Sequence, residues 1–141
     1  MEGHPLSIEF QPARSPKSHL LNVYLSLAGG GQAAIGLSRP LLECRDCSEV
    51  SFSEPDLANL RVFAADEAWI RAVLADASTQ AALAGLIHGD AWRGLSEVYL
   101  KPDRLWLRAH PRLAQDDSVE WLPALMILAR AVESAPASRP R

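Results

Sequence analysis

Two short runs of alternating apolar residues face each other across Lys101-Pro102-Asp103-Arg104, and they constrain this chain more than any other feature. Ser96 to Leu100 reads as one strand and Arg104 to Arg108 as the next. Proline at the second turn position supplies the φ angle of a type I turn. With Lys101 and Arg104 as the turn ends, Leu100 falls opposite Leu105, Tyr99 opposite Trp106 and Val98 opposite Leu107. Side chains alternate between the faces of a strand. Val98, Leu100, Leu105 and Leu107 therefore share one face, and Tyr99 and Trp106 share the other. A chain with this hairpin builds a sheet, and both faces of that sheet need a cover.

The same patterning recurs upstream. Leu6, Ile8 and Phe10 alternate with Ser7 and Glu9, as in a half-buried strand. Gln11 to Ser18 reads as a loop. His19 to Leu27 is a strand with Leu21, Val23, Leu25 and Leu27 on one face. Ala28-Gly29-Gly30-Gly31 follows, then Ala33, Ile35 and Leu37, which predicts a β-hairpin around the glycines. Val50-Ser51-Phe52 is a short strand candidate before the turn Ser53-Glu54-Pro55-Asp56. Leu60 to Ala64 is the next strand. Asp66 is placed to cap a helix carrying Trp69, Ile70, Val73 and Leu74 on one side. Ser78 caps a second helix with Ala82, Leu83, Leu86 and Ile87, which Gly89 closes.

A capping box at Asp117 and Glu120 opens a last helix that runs to about Glu133. Its main stripe is Trp121, Leu125, Leu128 and Val132, and Pro123 kinks it or resets its start. Residues 1–5 and 134–141 read as flexible ends of a single domain, 1–141. Strands and hairpins without regular β-α-β alternation predict an α+β fold with a mainly antiparallel sheet. It comprises N-terminal strands and a hairpin, two short central helices, a second hairpin and a C-terminal helix.

At 141 residues the chain can bury a core without disulfides. Net charge is −3 with 22% charged residues, and Lys17 and Lys101 are the only lysines, so nucleic acid is not an expected partner. No apolar run approaches the roughly 18 residues of a membrane-spanning helix. The opening Met1-Glu2-Gly3-His4-Pro5 has no basic or apolar region of a signal peptide. The expectation is a bacterial-type cytoplasmic protein with reduced thiols.

The chemistry-bearing feature is Cys44-Arg45-Asp46-Cys47, the two cysteines of the chain. This spacing serves zinc sites and dithiol redox centres. A structural zinc site needs four ligands, and His4, His19, His88 and His110 form no H-x₃₋₅-H half-site. A thioredoxin-like centre needs a preceding parallel strand, and Pro40-Leu41-Leu42-Glu43 is not one. The leading expectation is thus no cofactor, with two reduced cysteines, one or both packed as small hydrophobes, and a zinc- or thiol-dependent protein using Cys44 and Cys47 is the alternative. Gly29-Gly30-Gly31 lacks the rest of a phosphate loop, and no serine lies in a G-x-S-x-G elbow.

Surplus apolar surface points instead to protein binding. Tyr and Trp are enriched at interfaces. Tyr99 and Trp106, together with Leu122 and Met126 outside the main stripe of the last helix, are the predicted partner-binding residues. The partner is another protein or a second copy. One form of this reading is a secretion-type chaperone, although that class begins with a helix and this chain with a strand.

Glu54-Pro55-Asp56-Leu57, Arg61-Val62-Phe63-Ala64-Ala65-Asp66, Arg71-Ala72-Val73-Leu74 and Ala82-Leu83 together resemble a motif of an uncharacterised bacterial domain family. There an acidic-aromatic turn precedes a strand of the type F-x-V-x-x-x-D. A helix ending in paired leucines, a second short helix and a hairpin follow. Pro102-Asp103-Arg104-Leu105-Trp106-Leu107 occupies the hairpin's place, and Leu57 stands where the turn's aromatic is usual. The resemblance implies the fold and brings no activity or catalytic residues with it.

Overall fold

The computed structural model describes residues 6–11, 20–27, 30–37, 47–88, 96–109 and 121–135. In chain order these form β1 (Leu6–Gln11), β2 (Leu20–Ser26), β3 (Ala33–Gly36), β4 (Ser48–Val50) and β5 (Arg61–Ala64). Then come α1 (Glu67–Val73), α2 (Ala77–His88), β6 (Glu97–Lys101), β7 (Arg104–Ala109) and α3 (Trp121–Ser134). The strands make one sheet in the order β1-β2-β7-β6-β3-β5-β4, and every neighbouring pair is antiparallel. The fold is α+β, as the patterning predicts.

The register explains why these residues became strands. Ile8, Val23, Leu107, Val98, Ile35, Val62 and Val50 stand directly opposite one another in a row across the whole sheet. Leu6, Leu25, Leu105, Leu100, Ala33 and Ala64 form the next row on the same face. Most of these side chains join Trp69, Ile70, Leu83, Leu86, Leu125, Leu128 and Val132 of the helices in one buried cluster. Helices therefore cover one face of the sheet. The β6–β7 register is the one its turn predicts, from Lys101 opposite Arg104 through Val98 opposite Leu107.

The glycine segment differs from its expectation. β2 and β3 do not pair; β7 and β6 lie between them. The β6–β7 hairpin inserts there, and the chain crosses beside its tip. The Leu27 amide donates to the Asp103 carbonyl at 2.9 Å. A Cβ on Gly30 would stand 3.2 Å from the Lys101 carbonyl oxygen and 3.2 Å from a Val132 methyl. Glycine serves here for close approach to the hairpin and α3 rather than for a tight turn. The correction follows from the rows. The apolar face of β2 continues into Leu105 and Leu107 more completely than it could into the four-residue β3.

The helix boundaries follow local chemistry. Asp66 caps α1 from an extended backbone, and its Oδ1 accepts from the Trp69 amide at 3.2 Å. Asp66→Ala should lower stability by about 1 kcal/mol, read from a chemical denaturation curve of unchanged slope. Ser78 does not cap α2. The Gln80 amide bonds the Asp76 carbonyl, which puts Asp76 at the cap, and the Ser78 hydroxyl donates to the Asp76 carboxylate. Pro123 is the third residue of α3, where an amide has no intrahelical acceptor, so it sits in the first turn without breaking the helix. Gly89, the Asp117–Glu120 capping box and both predicted flexible ends, apart from Ser134 and Ala135, lie outside the described residues. So does the side chain of Trp121.

Candidate binding site

The face of the sheet turned away from the helices is built from two rows of different chemistry. Ser7, Tyr24, Trp106, Tyr99, Ala34, Phe63 and Glu49 stand opposite one another in the first. Its middle is aromatic: the Trp106 ring lies 5.6 Å from Tyr24 and 5.0 Å from Tyr99, centroid to centroid. Such offset or tilted pairs add to the energy of area burial alone. Glu9, Asn22, Arg108, Glu97, Gly36 and Arg61 form the second row, which is polar.

The two rows bond to each other. Trp106 Nε1 donates to Asn22 Oδ1 at 2.9 Å, and the Tyr99 hydroxyl donates to Glu97 Oε1 at 2.7 Å. Arg108 stands across from Glu97, 3.6 Å from the same oxygen. Toward the far edge, Arg61 makes a bidentate contact with Glu49 at 3.0 and 3.1 Å and lies over Phe63. The hydrogen bond to the Glu49 carboxylate, aided by its charge, raises the Arg61 pKa above the ordinary guanidinium value. This pair is exposed and stabilises little.

Beside β1 the face opens into a groove of about 500 Å³ lined by Leu6, Ser7, Glu9, Tyr24, Ser26, Arg104 and Trp106. Tyr24 and Trp106 supply its aromatic surface. Arg104 lies over the Tyr24 ring at 5.2 Å, a cation–π distance. Glu9 adds a carboxylate and Ser7 and Ser26 add hydroxyls. The groove offers stacking, hydrogen bonding and both signs of charge within one concave surface, which is how binding sites combine affinity with orientation.

The four residues predicted to meet a partner do not form one surface. Trp106 is half-buried and lines the groove. Tyr99 is only 1% exposed and stands beside Trp106 on the neighbouring strand, its ring 5.0 Å away. Leu122 and Met126 lie on α3, partly buried and packed against the core cluster on the other side of the sheet. Leu6, Ser7, Glu9, Tyr24, Ser26 and Arg104 are groove residues that the sequence did not single out. Tyr24 carried a usable signal, since it alternates with Val23 and Leu25 and so faces away from the core. Arg104 looked like a turn end and nothing more.

The cysteine region differs from its expectation. Cys44 lies outside the described residues, and Cys47, just before β4, is disulfide-bonded rather than a free thiol. A cysteine ligates metal as a thiolate, so zinc at Cys47 would require prior reduction. Among the described residues no group of three or more His, Cys, Asp or Glu converges as a metal site. Disulfides persist in oxidising compartments, which bears against the reduced state expected of a cytoplasmic chain. Titration of the native chain should find no reactive thiol, and reduction should expose two. A reactive thiol before reduction would contradict the oxidised state.

These features define a class: an antiparallel seven-stranded sheet with helices on one face and an aromatic, charged groove on the other. No protein-family model matches the chain, and no curated protein matches it. The fold is similar to the crystal structure of the mycobacterial trehalose monomycolate transport factor A, TtfA, at a TM-score of 0.57. The similarity covers 94% of this chain and 75% of that one at 12% identity, and at that identity it shows the fold alone. Among the described residues no single helix is long and apolar enough to cross a membrane.

Proposed function

We propose that this protein is a non-enzymatic binding module that takes a segment of another protein into the groove between β1, β2 and β7. The observation that carries this reading is the Tyr24–Trp106 stack, half-buried and open to a concave surface beside an exposed sheet edge. Aromatic anchors that are rigidly held before a partner arrives lose little conformational entropy on binding. Trp106 is fixed by Asn22 and by two neighbouring rings, so it is anchored in advance. Glu9 and Arg104 stand in the same groove and favour a segment carrying both charge signs.

Selection of a random peptide library displayed on phage against the full chain tests this. Enriched peptides should bind Arg104→Ala at least about tenfold more weakly, a loss of about 1.4 kcal/mol. Arg104 is exposed, so its replacement leaves the fold intact. Peptides that bind the variant as well as the native chain would place binding elsewhere, and no enrichment at all would remove the reading.

A further inference from the structure

The two edges of the sheet are built differently. β4 is three residues long, and its Glu49 is tied to Arg61 on β5. Short, charged edges resist pairing with other strands. β1 is six residues long and pairs with β2 without a break from Leu6 opposite Leu25 to Gln11 opposite Leu20. It contains no proline, no lysine and no bulge. Leu6, Ser7, Ile8 and Glu9 are all exposed, and Leu6 and Ile8 are the exposed large apolar side chains of the described structure at 42% and 48%. β1 is also an outermost strand, with β2 as its one neighbour among the described strands. The outer N–H and C=O groups of such a strand are a template for another strand.

We propose that the strand which pairs there is β1 of a second copy of this chain, antiparallel about a two-fold axis at Ile8. The register follows from the residues. An antiparallel pair of identical strands keeps like faces together only when the numbers of opposed residues sum to an even value. Centring on Ser7 leaves position 6 opposite 8 and uses only three strand residues. Centring on Glu9 sets two carboxylates directly opposite, which is destabilising. Centring on Ile8 opposes 6 with 10 and 7 with 9. It uses five strand residues, continues the apolar rows of the helix-side face, and sets Glu9 against Ser7 rather than against itself. Charge and apolar pattern thus make β1 self-complementary in one register, with no like charges opposed, and an isologous contact of this kind closes as a dimer.

The axis stands perpendicular to the sheet, so the binding grooves of both copies open on the same side. Three strand spacings, about 14 Å, separate one β2 from the other. Only this consequence rests on the binding role proposed above; the pairing itself does not.

Light scattering on the size-fractionated full chain tests the proposal. Twice the single-chain mass is expected at high loading, falling toward the single mass on dilution. Ile8→Lys places two ammonium groups at the axis and should give the single mass at every loading. Glu9→Gln removes no opposed charge and should remain dimeric. Ile8 is half-exposed, so Ile8→Lys should melt as the native chain does when both are compared at monomeric dilution. Ile8→Cys should oxidise to a covalent dimer and Glu9→Cys should not, because position 9 faces 7. A native chain of single mass at all loadings, or an Ile8→Lys variant that keeps the double mass, overturns the dimer. Cross-linking at position 9 in place of 8 overturns the register. The peptides selected on the groove should still bind Ile8→Lys, so the two readings fail separately.

Discussion

Leu107→Ala should lower the free energy of unfolding by about 3 kcal/mol and the melting midpoint by about 10 °C. Leu107 is fully buried, as are Val23 and Val98 on its two neighbouring strands. Removing its isopropyl group takes apolar area out of the core and opens a cavity in the middle of a sheet row. The row cannot collapse to fill it, because hydrogen-bonded strands on both sides hold the backbone at fixed spacing. A domain of this size has of order 10 kcal/mol in total, so the change is readily measured. Leu6→Ala is the control. Leu6 is 42% exposed at the open end of the adjacent row, and its loss should cost under about 0.5 kcal/mol. Equal effects at the two positions would mean that the helices do not cover the face assigned to them.

Trp106→Ala should cost about 3 kcal/mol, and Trp106→Phe about 1 kcal/mol. Both substitutions remove the Nε1 donor and leave Asn22 Oδ1, in a side chain only 6% exposed, without its 2.9 Å partner. A buried acceptor left unpaired costs its desolvation. The phenyl ring keeps most of the stacking on Tyr24 and Tyr99, so the difference between the two variants measures the aromatic row. In an Asn22→Ala background the phenylalanine substitution should become nearly neutral, because no acceptor is left to orphan. An undiminished cost there would show that the Trp106–Asn22 bond is not what the indole N–H contributes.

The contrast between the two hairpin expectations shows what sequence can and cannot carry. The β6–β7 hairpin was legible because a turn with proline in its second position sets register locally, and alternation on both arms confirms it. The glycine segment has an equally good turn composition. Its flanking strands nevertheless lie apart with a hairpin between them. Turn chemistry reports that the chain changes course and says nothing of what enters the gap. Asp66 was legible because a cap is a contact three residues long. Ser78 was displaced by Asp76 because both residues have the chemistry of a cap and only the backbone decides.

The binding groove was half legible. Trp106 stood out as an aromatic on the face of a hairpin not needed for its core. Tyr24 and Glu9 are 82 and 97 residues away along the chain, and no local pattern links them to it. Cross-strand pairing through Asn22 and Tyr24 brought them together. Leu122 and Met126 looked equally surplus, but the core took them from the opposite side of the sheet.

By itself, then, the sequence determined which residues alternate, where α1 begins and which face of each strand is apolar. These depend on neighbours within a few positions and on the two periods of backbone geometry. Strand order, the use of Gly30 for close approach, the burial of Tyr99 and the exposure of β1 were decided only in the tertiary structure. They depend on which apolar rows continue across strands distant in sequence, and that choice is made by packing the whole sheet at once.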